Sequence, residues 1–415
     1  MANNNLSVVD MVAKEAQRIA HEKLSFIGSI DRQYDESFKY QAGRGPNGQT
    51  LRIRKPNQYT RTKGSRVMDV QDQNEATQSI TVATHDHVDM RFNSQELIQS
   101  VNSGAAFDDL SKNYIEPAVA VLCSGIEADF LAYATKATYQ VAGTAGTAIT
   151  NLTVPGAARA KINQQLAPKD GRAIQMDSVT MGGLVNGMAA YFNPSNAVSE
   201  QYREGLIART AMADYYENER VWTQTNGSDV TGNTDADALV TDGGTTIDMH
   251  TLIPVANQAV GEVFTIAGVY DVHPETKSAY AHLKQFTITE IGATTTTIAP
   301  AIVLTGARRN VGSSTGAVLA TTDFNAKAVV FVGLASTSYV QSLMYHKEAF
   351  QFITADLPMM DDAHKCVIKR KDNLSLRVWL ASDIRNDELL MRIDTLYGMA
   401  ALRPEWACRM IGAAN

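Results

Sequence analysis

GEVFTIAGVYDVHPETK, residues 261–277, decides how the chain is read. Phe264, Ile266 and Tyr270 alternate with Val263, Thr265 and Val269, the period-two pattern of a strand with two unlike faces. HPETK (273–277) predicts a turn. HLKQFTITEIG (282–292) then places Phe286 and Ile288 on one face, and TTTTIAPAIVLTG (294–306) adds another strand. Short strands broken by glycine and proline predict a small barrel or sandwich, with Phe264, Ile266, Phe286 and Ile288 as its core. Composition marks its limits. Residues 223–325 contain twenty threonines, ten acids and four bases, against a net charge of −7 for all 415 residues.

Outward from this β module the chain changes character. Residues 6–28 carry apolar positions near helical spacing, and 107–137 predict a long helix with the stripe Tyr114, Ala118, Leu122, Ile126, Phe130 and Tyr133. PGAARAKINQQLAP predicts a helix opening on Pro155. AIQMDSVTMG (173–182) reads as a strand, GGLVNGMAAYFNP as a segment ending in a turn, and 197–216 as partly helical. Beyond 325, KAVVFVGLA (327–335) reads as a buried strand of the host. The runs 364–384 and 388–402 read as long alternating strands. The β module is therefore expected to be inserted into an α+β host.

Residues 38–67 hold eight bases and no acid. Within them TLRIRK (50–55) alternates like a strand, as does SITVATHDHVDMRF (79–92), so the two predict an extended hairpin arm. Such an arm buries too little of its own surface to be rigid alone, and it calls for a partner. Docking onto protein is the favoured reading. DNA is the alternative, with only Tyr40 and Tyr59 available as stacking platforms.

Patterns that could carry chemistry are weak. Gly43, Gly45 and Gly48 match a dinucleotide fingerprint, but a strand follows them where a helix is required. His85 and His87 share a strand face without a third ligand, so no metal site is expected there. Asp235, Asp237 and Asp242 fit a calcium loop poorly, with Leu239 and Thr246 at ligand positions. Asp361, Asp362 and His364 cluster without a nucleophile. Cys123, Cys366 and Cys408 are far apart and predict free thiols. No apolar run approaches a membrane span, no membrane association is expected, and neither cofactor nor catalytic residue is expected.

The landmarks YFNP (191–194), GEVFTIAGVYDVHPETK (261–277), LMYHKEAFQFITADLPM (343–359) and DTLYGMAALRPEWACRMIG (394–412), taken in this order, resemble the major capsid proteins of tailed bacteriophages. Within these the resemblance is to the branch with the Hong Kong 97-like fold typified by the coat protein of phage P22. It implies an N-arm at 1–40, an E-loop at 41–85 and a P domain with its spine helix at 86–140. An A domain would follow at 141–222, an inserted β-barrel at 223–325, more A domain at 326–385 and closing P-domain strands at 386–415. It implies a shell of pentamers and hexamers enclosing double-stranded DNA, without enzymatic activity. Arg44, Arg52, Arg54, Lys55, Arg61, Lys63 and Arg66 of the E-loop would face neighbouring subunits. A separate scaffolding protein, a portal protein and an optional decoration protein are the implied partners. Maturation cleavage is not expected, and assembly in the bacterial host cytoplasm is. An encapsulin-like compartment shell would share the fold and differ in its cargo; a hydrolase using the Asp361/His364 region is the enzymatic alternative.

Overall fold

A computed structural model describes residues 13–16, 18–19, 24–31, 50–64, 66–68, 70–71, 77–93, 114–188, 213–249, 253–359, 365–371 and 374–414. In chain order the helices are α1 (Ser25–Ser29), α2 (Glu116–Ala137), α3 (Thr153–Gln164) and α4 (Ser178–Met188). The strands begin with β1 (Thr50–Arg54), β2 (Thr77–Thr81), β3 (Thr84–Asn93), β4 (Val141–Ala142), β5 (Arg172–Met176), β6 (Asp214–Glu217) and β7 (Thr223–Thr225). They continue with β8 (Thr231–Asn233), β9 (Gly244–Ile247), β10 (Val263–Val272), β11 (Ala279–Ile291), β12 (Thr296–Ile302), β13 (Val311–Gly312) and β14 (Ala328–Phe331). The last are β15 (Ser338–His346), β16 (Phe350–Ala355), β17 (Lys365–Lys371), β18 (Leu374–Asp383), β19 (Glu388–Ala401) and β20 (Ala407–Ala414). The chain divides into two compact units, 1–53 with 77–130 and 350–400, and 54–76 with 131–349 and 401–415.

In the first unit β16, β19, β18 and β17 form a sheet in that order, and β3 pairs along β19 from Asn93–Glu388 to Thr84–Tyr397. The alternating run 79–92 is thus two strands, broken at 82–83. The break lies where Gly398 meets the Thr81 carbonyl: a Cβ on Gly398 would sit 2.3 Å from that oxygen, so only glycine allows the approach. Aromatic rings knit the core. Phe26 lies 5.0 Å from Phe130, Phe130 lies 5.7 Å from Phe352, and Phe352 stacks on Tyr397 at 5.5 Å between centroids. The Glu127 carboxylate of α2 is fully buried and accepts from the Phe26 amide (2.7 Å) and the Ser25 hydroxyl (2.9 Å) at the start of α1. A carboxylate there satisfies helix donors that have no intrahelical partner.

The buried stripe of α2 differs from the sequence reading at its ends. Leu122, Ile126 and Phe130 are inside, but Ile115 and Val119 are buried in place of Tyr114 and Ala118, and Ala134 in place of Tyr133. The tyrosine at each end is partly exposed, and the small or branched neighbour takes the interior position. Residues 107–113 lie outside the described residues. By length and composition α2 also meets the requirement for a membrane span, contrary to the sequence reading. Half of that stretch is buried within the protein, as in a core helix.

The second unit contains two sheets. One runs β4-β20-β15-β5-β6, with β7 also on β15. Its core, including Ile162, Ile174, Leu184, Met344 and Met410, lies among α3, α4 and the sheet. Pro155 is the third residue of α3, still within the first turn, where it removes no hydrogen bond. The run 173–182 is strand only to Met176. Asp177 then accepts from the Thr180 amide at 3.0 Å, and this cap turns the chain from Ser178 onward into α4. Of 197–216, the described part from Asp214 is strand, parallel to β5. Most of 6–28, and YFNP, lie outside the described residues.

The other sheet runs β8-β14-β10-β11-β12-β9, with β13 on β10. The path does not close into a ring of paired strands among the described residues. KAVVFVGLA belongs here and not to the host, because Phe331, Val330 and Val329 of β14 pair with Phe264, Thr265 and Ile266 of β10. Conversely Thr223–Thr225 pairs with β15 of the host sheet. The inserted sheet therefore reaches past residue 325 and begins after 225. Phe264, Ile266, Phe286 and Ile288 are fully buried in one cluster with Val269, Ile298, Ile302, Val329 and Phe331. Val269 and not Tyr270 continues this face. The β10–β11 register shifts between Thr265 and Tyr270, and the bulge carries Gly268 at φ +83°, which resets the alternation.

Candidate assembly interface

The arm begins as the two-stranded β1–β2 ladder. Ile53 and Ile80 are buried, while Arg52 and Arg54 are exposed, as the alternation predicts. Past β1 the segment is held across by a reciprocal pair: the Thr60 amide donates to Gln71 Oε1 (2.8 Å), and Gln71 Nε2 donates to the Thr60 carbonyl (2.6 Å). Arg61, Lys63 and Arg66 are exposed, Lys55 is half-buried, and Arg44 lies outside the described residues. The same tip exposes Tyr59, Val67, Met68 and Val70, the last three each 78% exposed. Four apolar side chains bared among bases within twelve residues form a surface whose burial is favourable only against another body. Cationic and apolar groups together suit a protein partner bearing carboxylates around an apolar patch.

His85 and His87 lie on one face of β3, with ring centroids 5.7 Å apart. Each is turned to a carboxylate, His85 Nε2 to Asp394 (3.3 Å) and His87 Nδ1 to Asp89 (3.1 Å). Asp394 is fully buried and takes both guanidinium arms of Arg377 from β18. Asp89 accepts from Arg392 at 2.6 and 3.0 Å and is held below the usual carboxylate range chiefly by that bond. Asp394 with Arg377 and Asp89 with Arg392 are cross-strand ion pairs that fix the β3–β19–β18 register, and each histidine lies beside one of these carboxylates. Asp242 accepts from the Leu304 amide and the Thr305 hydroxyl, so it staples its loop to the exit of β12. Asp237 accepts from the Leu239 amide at 3.2 Å. Gly43, Gly45, Gly48, Asp361, Asp362 and His364 lie outside the described residues.

Sequence reasoning missed the group that anchors the inserted sheet. Arg409 of β20 is fully buried, and no carboxylate is among its hydrogen-bond partners. Its Nε donates to the Thr138 carbonyl (2.6 Å). Nη1 donates to the Gly261 carbonyl (2.6 Å) and Gln341 Oε1 (3.1 Å), and Nη2 to the Lys136 carbonyl (3.1 Å) and Thr287 Oγ1 (3.0 Å). Lys136 and Thr138 lie at the C-terminal end of α2, where the helix dipole presents negative charge to a cation. Gly261 and Thr287 belong to the root of the inserted sheet. Burial pulls the guanidinium below its ordinary pKa, and five donated bonds offset that cost. Gly261 holds φ +97°, and a Cβ there would lie 2.5 Å from Gln224 Oε1, so the root requires glycine. A single arginine between Cys408 and Met410, on an otherwise apolar strand, was the available signal.

Beside this node, polar pairs join the inserted sheet to α3. Lys161 Nζ and the Val141 amide both donate to Gln285 Oε1 (2.6 and 2.9 Å), and Gln165 Nε2 donates to Asp271 Oδ2 (3.0 Å). Lys284 pairs with Asp271 at 2.8 Å with its side chain 3% exposed. Burial opposes ionisation of Asp271, but Lys284 and His282 outweigh it and hold the carboxyl below its ordinary value. Val263, on the outer face of β10, packs with Val141, Tyr339 and Ile411 of the host.

Residues 219–412 match the family model described as P22 coat protein, gene protein 5, a span that contains three of the four landmark motifs. No curated protein matches the chain. Among solved structures, one from Mycobacterium phage Che8 aligns at 10% identity and a TM-score of 0.49, covering 93% of this chain and 90% of that one. The capsid of the cyanophage P-SCSP1u aligns at 11% identity and 0.43, covering 88% and 84%. A virus-like particle from Pyrococcus furiosus aligns at 6% identity and 0.38, covering 97% and 98%.

Proposed function

We propose that this chain is the major capsid protein of a tailed phage, a shell subunit of the P22 coat type. The observation that carries this reading is the family match over 219–412. The match takes in the whole inserted sheet together with the β15 and β20 strands that hold it. A subunit of this kind does its work through contacts, and the bared tip of the arm supports that. The arm would lie on a neighbouring subunit in each pentamer and hexamer as the E-loop, with Arg52 and Arg54 pairing to carboxylates there. The inserted sheet would be a separate domain on the outer surface, because its region carries ten acids against four bases and the packaged genome is a polyanion. Assembly would proceed in the bacterial cytoplasm around a separate scaffolding protein, with a portal protein at one vertex.

The test is the double variant Arg52→Glu with Arg54→Glu. Each exposed pair contributes only about 0–1 kcal/mol, but a shell repeats the contact in every subunit. The variant should unfold thermally like the unmutated chain and fail to form closed shells in sedimentation. Normal assembly with reduced genome packaging would instead assign the arm to DNA. A variant that is already unfolded as a monomer would assign the arm to the subunit's own core.

A further inference from the structure

The second unit contains a cleft of about 440 Å³ that the shell reading does not use. Bases reach it from several elements: Lys55 from the arm, Lys277 and Lys284 from the inserted hairpin, Arg308 and Arg309 from the loop after β12, and Arg403 before β20. Among the described residues Glu405 is the only carboxylate on its wall, and Lys284 is already paired with Asp271. The floor is apolar, with Leu166, Pro300 and Trp406. Trp406 donates its indole N–H to the Gln165 carbonyl (3.2 Å), which fixes the ring, and the Arg403 guanidinium lies 4.1 Å from the ring centre.

The arrangement around Lys277 bears on what the cleft can bind. Its ammonium donates to the Arg309 carbonyl at 3.1 Å, and Arg309, 8% exposed, donates back to the Lys277 carbonyl at 2.7 Å and to the Gly316 carbonyl at 2.9 Å. The two cations are thus locked side by side through neutral acceptors. Burial, and then the Arg309 charge, lower the Lys277 pKa to about 8. Like charges held together over an apolar floor are stabilised by a multivalent anion, and guanidinium groups match phosphate oxygens in bidentate geometry. The volume suits a small ligand, and the Arg403–Trp406 stack offers a planar surface for a base.

We propose that this cleft binds a compact polyphosphate anion, free or carried on a nucleoside. The inference does not depend on the chain forming a shell. The experiment is calorimetric titration of the full-length, unassembled subunit with sodium tripolyphosphate and, separately, with ATP. One equivalent should bind per chain. Lys277→Asn should weaken binding at least tenfold; asparagine tolerates the φ of +57° at that position, so the turn is kept. A bound anion favours the charged ammonium, so affinity should fall as pH rises through about 8. That fall should vanish in Lys277→Asn, which leaves Lys55, Lys284, Arg308, Arg309, Arg403 and Glu405 of the wall in place. Tighter binding of ATP would assign the ring stack to a base, and equal binding would assign recognition to the phosphates alone. If Lys277→Asn does not fold, Lys55→Gln carries the affinity test, with the same loss of binding expected and the fall near pH 8 retained. The inference is overturned if neither anion gives saturable heat, if the folded variants bind like the unmutated chain, or if a glutamate-rich peptide binds and tripolyphosphate does not displace it.

Discussion

Replacing Arg409 with methionine keeps the side chain's length and removes all five donors. The carbonyls of Thr138 and Gly261, each 2.6 Å from the guanidinium, and Gln341 Oε1 at 3.1 Å lose that donor, while the Lys136 carbonyl keeps the Thr287 hydroxyl at 3.2 Å. A buried acceptor left without a partner costs about 1–3 kcal/mol, so three of them set the loss at roughly 3–9 kcal/mol. Relief of the buried charge offsets part of this. Arg409→Lys keeps the charge but has three donors for acceptors spread around a planar fork, so it should fall between the two. The assay is urea unfolding of unassembled subunits, with Arg66→Met on the exposed arm as the control, expected within about 0.5 kcal/mol of the unmutated chain. A methionine variant as stable as that control would refute the argument, because it would mean that water or rearranged backbone satisfies the carbonyls without arginine.

Phe286→Ala should cost about 3–5 kcal/mol, since Phe286 is fully buried against Phe264 with ring centroids 5.8 Å apart; denaturant unfolding followed by circular dichroism checks it, and a loss under about 1 kcal/mol would show a core able to collapse. Asp271 is held below its ordinary pKa, so the stability it carries is complete above its unfolded value of about 4 and is lost as pH falls through the lower folded value. Asp271→Asn should therefore flatten the acid limb of the stability–pH curve, and should cost about 3–5 kcal/mol at neutral pH by leaving Lys284 buried without its counter-charge.

Alternation was enough to read the centre of the inserted sheet. Phe286 and Ile288 are on the face that the pattern 282–292 assigns, and Arg52 and Arg54 turn outward as i, i+2 spacing requires. It failed where the backbone changes phase for local reasons. The bulge at Gly268 moves Val269 inward, and the Asp177 cap converts a strand-like run into α4. Both signals were present as single residues, a glycine inside a strand pattern and an aspartate before a serine, and both are ambiguous without the fold. The boundary at 325 misled because β14 is apolar in the same way as the host strands, and only pairing distinguishes them. Arg409 was illegible for another reason. Its acceptors are mostly backbone carbonyls from segments far apart in sequence, and carbonyls leave no mark in a sequence.

The central claim is tested most directly by electron cryo-microscopy of the particles formed when the full-length protein is expressed with a scaffolding protein. Closed icosahedral shells of pentamers and hexamers are expected, with the inserted sheet on the outer surface and residues 50–81 lying over an adjacent subunit. Monomers alone, shells filled with cargo enzyme, or the inserted sheet facing the lumen would contradict it.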